Sequence, residues 1–194
     1  MPTPEERYAA IIDAAVQLFR KKNYHGTSMQ DIAEAVGIYR GSLYHYINSK
    51  EELLFRIVER AISKFREVLS KIQMENLTAT EKLHQAIYTH VQYIVKDQAG
   101  LAILLEDTKQ LSEEYQEKIR DAQKQYEIIL QNIIEEGIQK GEFKDLNSKV
   151  VTYTLLGMMN WTYRWYSVKG KLSSEEIAAI IEDIIINGLS KSNN

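Results

Sequence analysis

Between Glu5 and Asn194 the chain contains no proline. Proline ends helices because it lacks a backbone N–H and its ring collides with the preceding turn. A 194-residue chain whose two prolines, Pro2 and Pro4, both lie at its start has few internal stops, so an all-α fold is expected. Glycine, asparagine and hydroxyl residues must then punctuate the helices. The chain is 44% hydrophobic and 26% charged, with 24 Lys and Arg against 27 Asp and Glu, the balance of a soluble globular protein rather than a disordered one. It has no cysteine, which excludes disulfide frameworks and thiolate metal sites. No stretch reaches the roughly 18 uncharged residues of a membrane span. Met1-Pro2-Thr3-Pro4-Glu5-Glu6 lacks the apolar core of a signal peptide, so the expected location is cytoplasmic.

Apolar residues recur at helical spacing from Tyr8 to Phe19, which predicts a helix over residues 5–22, ended by Arg20-Lys21-Lys22 and Asn23-Tyr24-His25-Gly26. Thr27-Ser28-Met29-Gln30 has capping-box spacing, with Thr27 as the cap, and Gly37 stops the helix that follows. A third short helix is expected near Arg40–Tyr46. Ser49-Lys50-Glu51-Glu52, a second capping box, opens a long helix through Ile72. Two short helices joined by three or four residues around one glycine make a helix-turn-helix. Charge follows the same division. Between Arg20 and Lys50 there are five basic and two acidic residues, whereas the remainder from Glu51 onward is net acidic.

From Gly26 to Leu54 the chain reads GTSMQDIAEAVGIYRGSLYHYINSKEELL. In order and interval, this string resembles the DNA-binding domain of the TetR family of one-component bacterial regulators, over roughly residues 8–56. The residue chemistry suits the role. The N-terminal part of a second helix enters the major groove, and Arg40 there offers the planar fork that pairs with guanine O6 and N7. Gly41 permits close approach, while Ser42, Tyr44 and His45 bring hydroxyl and imidazole groups to the same short helix. The resemblance implies phosphate contacts at Tyr44 and Lys50 and base contacts at Arg40, Gly41 and His45. Ser28 and Gln30 would reach the backbone and a groove edge, whereas Leu43 and Ile47 should face the core. Tyr39 departs from the small capping residue usual in the family. Its side chain cannot cap the helix, which leaves stacking on the DNA backbone or a cap made by main chain alone.

Residues 51–194 are expected to form a helical effector-binding and dimerisation domain behind a DNA-binding domain at residues 1–50, with about nine helices in all. Helices are predicted around Leu83–Val95, Leu101–Leu105, Ser112–Lys140, Asn147–Tyr166 and Ser173–Leu189. The last two are apolar on more than one face, through Val150, Val151, Leu155, Leu156, Met158 and Met159, then Ile177, Ile180, Ile181, Ile184 and Ile185. That exceeds what one monomer's core needs and predicts a homodimer through a four-helix bundle, as the family resemblance also implies. Gly157–Tyr166 holds both tryptophans and an arginine that reads as enclosed among aromatics, a means of holding a phosphate or carboxylate beside an apolar tail. This stretch is similar to the branch of the family that senses acyl-CoA thioesters in fatty-acid or steroid catabolism. On that likeness Trp161, Arg164 and Trp165 are candidate effector contacts, and Tyr88, Tyr93, Leu104 and Tyr126 candidate pocket walls, with plain core packing the competing account of those four.

Catalysis is not expected. His25, His45, His84 and His90 show no metal-ligand spacing, and there is neither a Gly-rich phosphate loop nor a Gly-x-Ser-x-Gly elbow. Neither a cofactor nor a metal is anticipated. The expected function is a dimeric ligand-responsive repressor on a pseudo-palindromic operator, released by a small-molecule effector such as an acyl-CoA. Three alternatives remain: a regulator with a non-CoA hydrophobic effector, an all-α enzyme, and an architectural DNA-binding protein without effector.

Overall fold

The computed structural model describes residues 2–190. Nine α-helices and one short 3-10 turn are present among them: α1 Pro4–Lys22, α2 Met29–Ala35, α3 Arg40–Leu43, α4 Lys50–Met74, α5 Ala79–Lys96, α6 Gln98–Glu106, the 3-10 turn Thr108–Gln110, α7 Glu113–Gln139, α8 Ser148–Trp165 and α9 Ser174–Leu189. The all-α expectation therefore holds. No helix among the described residues is long and apolar enough to cross a membrane.

Local chemistry accounts for most of the helix ends. Thr3, Thr78 and Ser173 each cap a helix, with Glu6, Glu81 and Glu176 closing the box, while Asn147 caps α8 alone. The cap of α2 differs from expectation by one residue. Ser28 caps it with Asp31 as partner, because the Thr27 hydroxyl is turned inward and donates to the carbonyls of Leu18 and Asn23. At the start of α4, Ser49 Oγ accepts from Glu52 N–H, but the Glu52 carboxylate accepts from the backbone and side-chain N–H groups of Asn48. Ser49 thus caps the helix as expected, and only the reciprocal bond is displaced by one residue, to Asn48. Helix α3 stops at Leu43 rather than near Tyr46, since His45 and Tyr46 make i→i−3 bonds to Ser42 and Leu43 in place of α-helical ones.

By packing, the chain divides into two compact units. The first comprises residues up to Ala61 together with Ala99–Asp121, and the second comprises Ile62–Gln98 together with residues from Ala122 onward. In the first unit α2 packs on α1 and on α3, around a core that includes Ile11, Phe19, Ile32, Ala33, Leu43, Ile47 and Leu53. Burying side chains such as Leu43 and Ile47 contributes roughly 1.5–3 kcal/mol each and anchors α3 and the turn after it from beneath. In the second unit α5 lies against α8 and α9, with Leu83, Ile87, Val91 and Ile94 buried. Glu142 from the loop after α7 accepts from the Ala79 and Thr80 N–H groups at 3.2 and 2.9 Å, which places a carboxylate on the positive end of α5.

Candidate DNA interface and effector cavity

The turn between α2 and α3 is built by hydrogen bonds that only a left-handed residue permits. Gly37 has φ 67°; its N–H donates to Glu34 O and that of Ile38 to Ala33 O, the paired bonds of a Schellman motif. Ala33 is fully buried at this crossing. Tyr39 then caps α3 with extended backbone and no side-chain hydrogen bond, so the cap is main chain alone. Its ring is 88% exposed.

Beyond that cap Arg40, Gly41, Tyr44 and His45 all reach solvent, with Ser42 half-buried, while Leu43 and Ile47 face inward. Arg40 Nη2 donates to the Tyr44 hydroxyl at 3.2 Å. A Cβ built on Gly41 would meet no neighbouring atom within 4 Å, so internal packing does not require this glycine. Ser28 is committed to capping: its hydroxyl lies 2.5 Å from the Asp31 carboxylate. Lys22 Nζ pairs with Asp31, and this contact, with the Ser28 bonds, holds the Asp31 carboxyl well below the ordinary carboxylate range. Gln30 is exposed and donates to Glu34 at 2.8 Å. Lys50 is more constrained than a free phosphate contact would be. Its ammonium donates to the carbonyls of Tyr24 and Thr27, each at 2.9 Å, and lies 4.4 Å from the centroid of the Tyr24 ring, leaving one of its three N–H donors.

The second unit contains a small, half-open cavity lined by Phe65, Val68, Leu69, Ile72, Ala86, His90, Tyr93 and Tyr126, with Lys64 and Thr89 also contributing. Its volume is about 20 Å³, room for a single water molecule. The Phe65 ring packs against three other lining residues, with ring centroids 4.6 Å from His90, 4.3 Å from Tyr93 and 6.0 Å from Tyr126. His90 lies 2.6 Å from the Tyr126 hydroxyl through Nδ1 and 2.9 Å from Asn160 Oδ1 through Nε2. The Asn160 oxygen can only accept, so Nε2 carries the proton and Nδ1 accepts from Tyr126. Burial pushes His90 down to about 4 and the Tyr126 hydroxyl up, which keeps both groups neutral.

The candidate effector residues do not gather in one place. Tyr93 and Tyr126 line the cavity. Tyr88 is part-exposed and stacks on His84, and Leu104 is buried in the first unit. Trp161 and Trp165 lie on a surface groove of about 530 Å³ with Gly157, Met158, Leu172, Ile177, Ile180, Ile181 and Ile184. Arg164, read from sequence as enclosed, is exposed and stacks over Trp161 and Tyr163. The sequence pattern did not single out Phe65 and His90 as cavity residues, nor Asn160 as the partner of His90. His90 follows Leu83, Ala86 and Ile87 on the buried stripe of α5, a signal that it would be neutral and enclosed. A second groove, of about 400 Å³, runs between α8 and α9 past Val150, Val151, Ile184 and Leu189, so the two last helices present a nearly continuous apolar face.

Comparison with known proteins adds to this geometry. The profile of bacterial regulatory proteins of the tetR family matches residues 11–57, and that of the tetracyclin repressor-like C-terminal domain matches residues 76–189. The chain is 29% identical over 192 residues to the fatty acid metabolism regulator protein of Bacillus subtilis (strain 168), covering 97% of this chain and 98% of that protein. It is 25% identical over 194 residues to the HTH-type transcriptional repressor KstR2 of Rhodococcus jostii (strain RHA1), covering 97% and 93%. Among solved structures it resembles AibR in complex with isovaleryl coenzyme A and operator DNA, with a TM-score of 0.84 and 31% identity over 92% of this chain and 97% of AibR.

Proposed function

The chain belongs to the TetR family of bacterial transcriptional regulators, and from that premise we propose that it is a homodimeric repressor whose operator is released by an acyl-CoA effector. The observation that carries the DNA reading is the solvent-facing set Tyr39, Arg40, Gly41, Tyr44 and His45, held from beneath by Leu43 and Ile47. A glycine inside a helix costs about 1 kcal/mol relative to alanine. Gly41 makes no internal contact that would explain this cost, and close approach of a DNA backbone does explain it. We assign DNA contact to residues 1–50, through Ser28, Gln30, Tyr39, Arg40, Gly41, Ser42, Tyr44, His45 and Lys50, and effector binding and dimerisation to residues 51–194.

Dimerisation is supported by the apolar face of α8 and α9. Trp161 is 60% and Ile184 56% exposed, within grooves wide enough to receive side chains of a second copy. A two-fold axis there would present two recognition helices to successive major grooves of a pseudo-palindrome, about 34 Å apart.

For the effector, the related fatty acid regulator and the isovaleryl-CoA complex of AibR support an acyl-CoA, with Tyr93 and Tyr126 against the acyl group. An acyl group does not fit in a cavity of about 20 Å³. The effector therefore binds a form in which Phe65 has moved, and it shifts the population by its preference for that form. A second reading has its own support: Trp161 and Trp165 lie on the outer groove and Arg164 is exposed, so an apolar effector without CoA would use the cavity alone. The protein acts by binding rather than turnover, a reading supported by relatives that are a regulator and a repressor, and it acts in the cytoplasm.

Fluorescence anisotropy on the DNA upstream of its own gene tests this, with and without isovaleryl-CoA and a long-chain acyl-CoA. Salt-dependent nanomolar binding released by either thioester is the expected result. Specific binding indifferent to both would leave the repressor standing and favour the CoA-free effector. Absence of sequence preference would overturn the DNA reading.

A further inference from the structure

Arg40 and Tyr44 are four residues apart across the short recognition helix and its last turn, a spacing that brings side chains onto one face. Arg40 Nη2 donates to the Tyr44 hydroxyl at 3.2 Å, and the guanidinium carbon stands 5.8 Å from the ring centroid. No carboxylate among the described residues pairs with Arg40, so Tyr44 is what holds it. The guanidinium has five N–H donors in a planar fork. One is given to Tyr44, and those remaining are enough to address O6 and N7 of a guanine. A solvent-exposed arginine otherwise samples many rotamers, and ordering it on DNA opposes binding. Stacked on Tyr44, it meets the groove with much of that ordering already done.

We propose that Tyr44 is a positioning residue for base readout, acting through Arg40 as the specificity determinant, in addition to any phosphate it touches. The proposal rests on the DNA-binding reading above. The two roles leave different signatures. A phosphate contact carries no sequence information, so its loss weakens every duplex alike. Loss of a positioning residue blurs preference at the base pair that Arg40 reads, on top of any uniform loss from a phosphate contact.

The test is binding to a library of duplexes randomised across a palindromic site, with base preference measured at each position. Wild type, Arg40→Ala, Arg40→Lys, Tyr44→Phe and Tyr44→Ala are compared, with circular dichroism to verify folding. Arg40→Ala should abolish preference at one base pair in each half-site. Arg40→Lys, which keeps the charge and loses the fork, should do nearly the same. Tyr44→Ala should reduce discrimination at that same base pair about two- to fivefold, the size of an exposed cation–π contact, beyond any uniform loss that it shows on a scrambled duplex. Tyr44→Phe, retaining the ring, should fall between Tyr44→Ala and wild type. If Tyr44→Ala weakens all sequences equally and leaves the preferences intact, the residue is only a phosphate contact and the proposal fails. It fails also if Arg40→Ala leaves every preference in place. A wild-type protein without any preference overturns the underlying DNA reading, an outcome distinct from the other two.

Discussion

The Nδ1 atom of His90 lies 2.6 Å from the Tyr126 hydroxyl, and through Nε2 the same imidazole reaches Asn160 at 2.9 Å, so one neutral side chain joins α5 to α7 and α8. Its burial has a consequence for acid stability. In the unfolded chain the imidazole takes up a proton near pH 6.5, but in the folded protein only near 4. Between those values the unfolded state binds more protons, so the stability present above pH 6.5 is lost as pH falls towards 4, by on the order of 3 kcal/mol. Thermal unfolding of wild type and His90→Gln at pH 7 and pH 4.5 measures this. The variant should start weaker and lose less over the interval. Parallel pH slopes would remove His90 as the cause.

Gly137 and Phe143 make a second dependence visible. Phe143 is almost completely buried, and its ring lies where a Gly137 side chain would begin. A Cβ at that position overlaps two ring carbons and comes within 3.0 Å of the Ala79 Cβ. Although alanine favours helix, Gly137→Ala should therefore destabilise the protein by about 1–3 kcal/mol. Combining it with Phe143→Leu in a double-mutant cycle should recover part of the loss. Additive losses would mean that the overlap is relieved elsewhere.

Lys50 serves the fold as well as any phosphate. Its bonds to the carbonyls of Tyr24 and Thr27 tie the α1–α2 connection to the start of α4. Lys50→Ala should lower the melting temperature of the free protein, at a cost of about 1 kcal/mol, besides weakening DNA binding. The salt slope separates the two effects. If the remaining N–H donor reaches a phosphate, the slope falls by about one. An unchanged slope would restrict Lys50 to its internal role. His45→Ala, at an exposed position, should alter DNA binding with no change in melting temperature.

Ile184 lines both grooves of the α8–α9 face. Ile184→Asp should leave a folded monomer, since the side chain already meets solvent in one protomer, and should sharply reduce operator affinity. Light scattering and anisotropy on the same preparation test both expectations. A dimer that persists at micromolar concentration would place the interface on another surface.

The local punctuation of the chain was readable because it depends on neighbours in sequence. Gly37 adopts φ of 67° and closes α2 where the pattern put the stop, and Ser173 and Asn147 cap where hydroxyl and amide preceded apolar runs. The helix-turn-helix was readable for the same reason: its turn, its caps and its inward-facing Leu43 and Ile47 lie within some twenty residues. The misplaced cap at Thr27 marks the edge of that logic. Thr27 and Ser28 are chemically equivalent as caps, and the choice between them came from burial of Thr27 against α1.

What sequence alone determined was which segments are helical, since that follows from backbone preference and periodicity over one or two turns; the likeness of the Gly26–Leu54 string to a DNA reader rests on motif order and interval. Tertiary structure decided which faces meet. Tyr88 and His90 are two residues apart, yet one reaches solvent and the other lies in the cavity, because a helix turns about 100° per residue and only packing selects the buried side. Phe65, His90, Tyr126 and Asn160 come together from four helices, and no local pattern announces it. The tryptophans gave the converse lesson. An apolar side chain favours leaving water, but the preference is the same whether its own fold or a second copy covers it, and in a single protomer Trp161 and Trp165 remain on the surface.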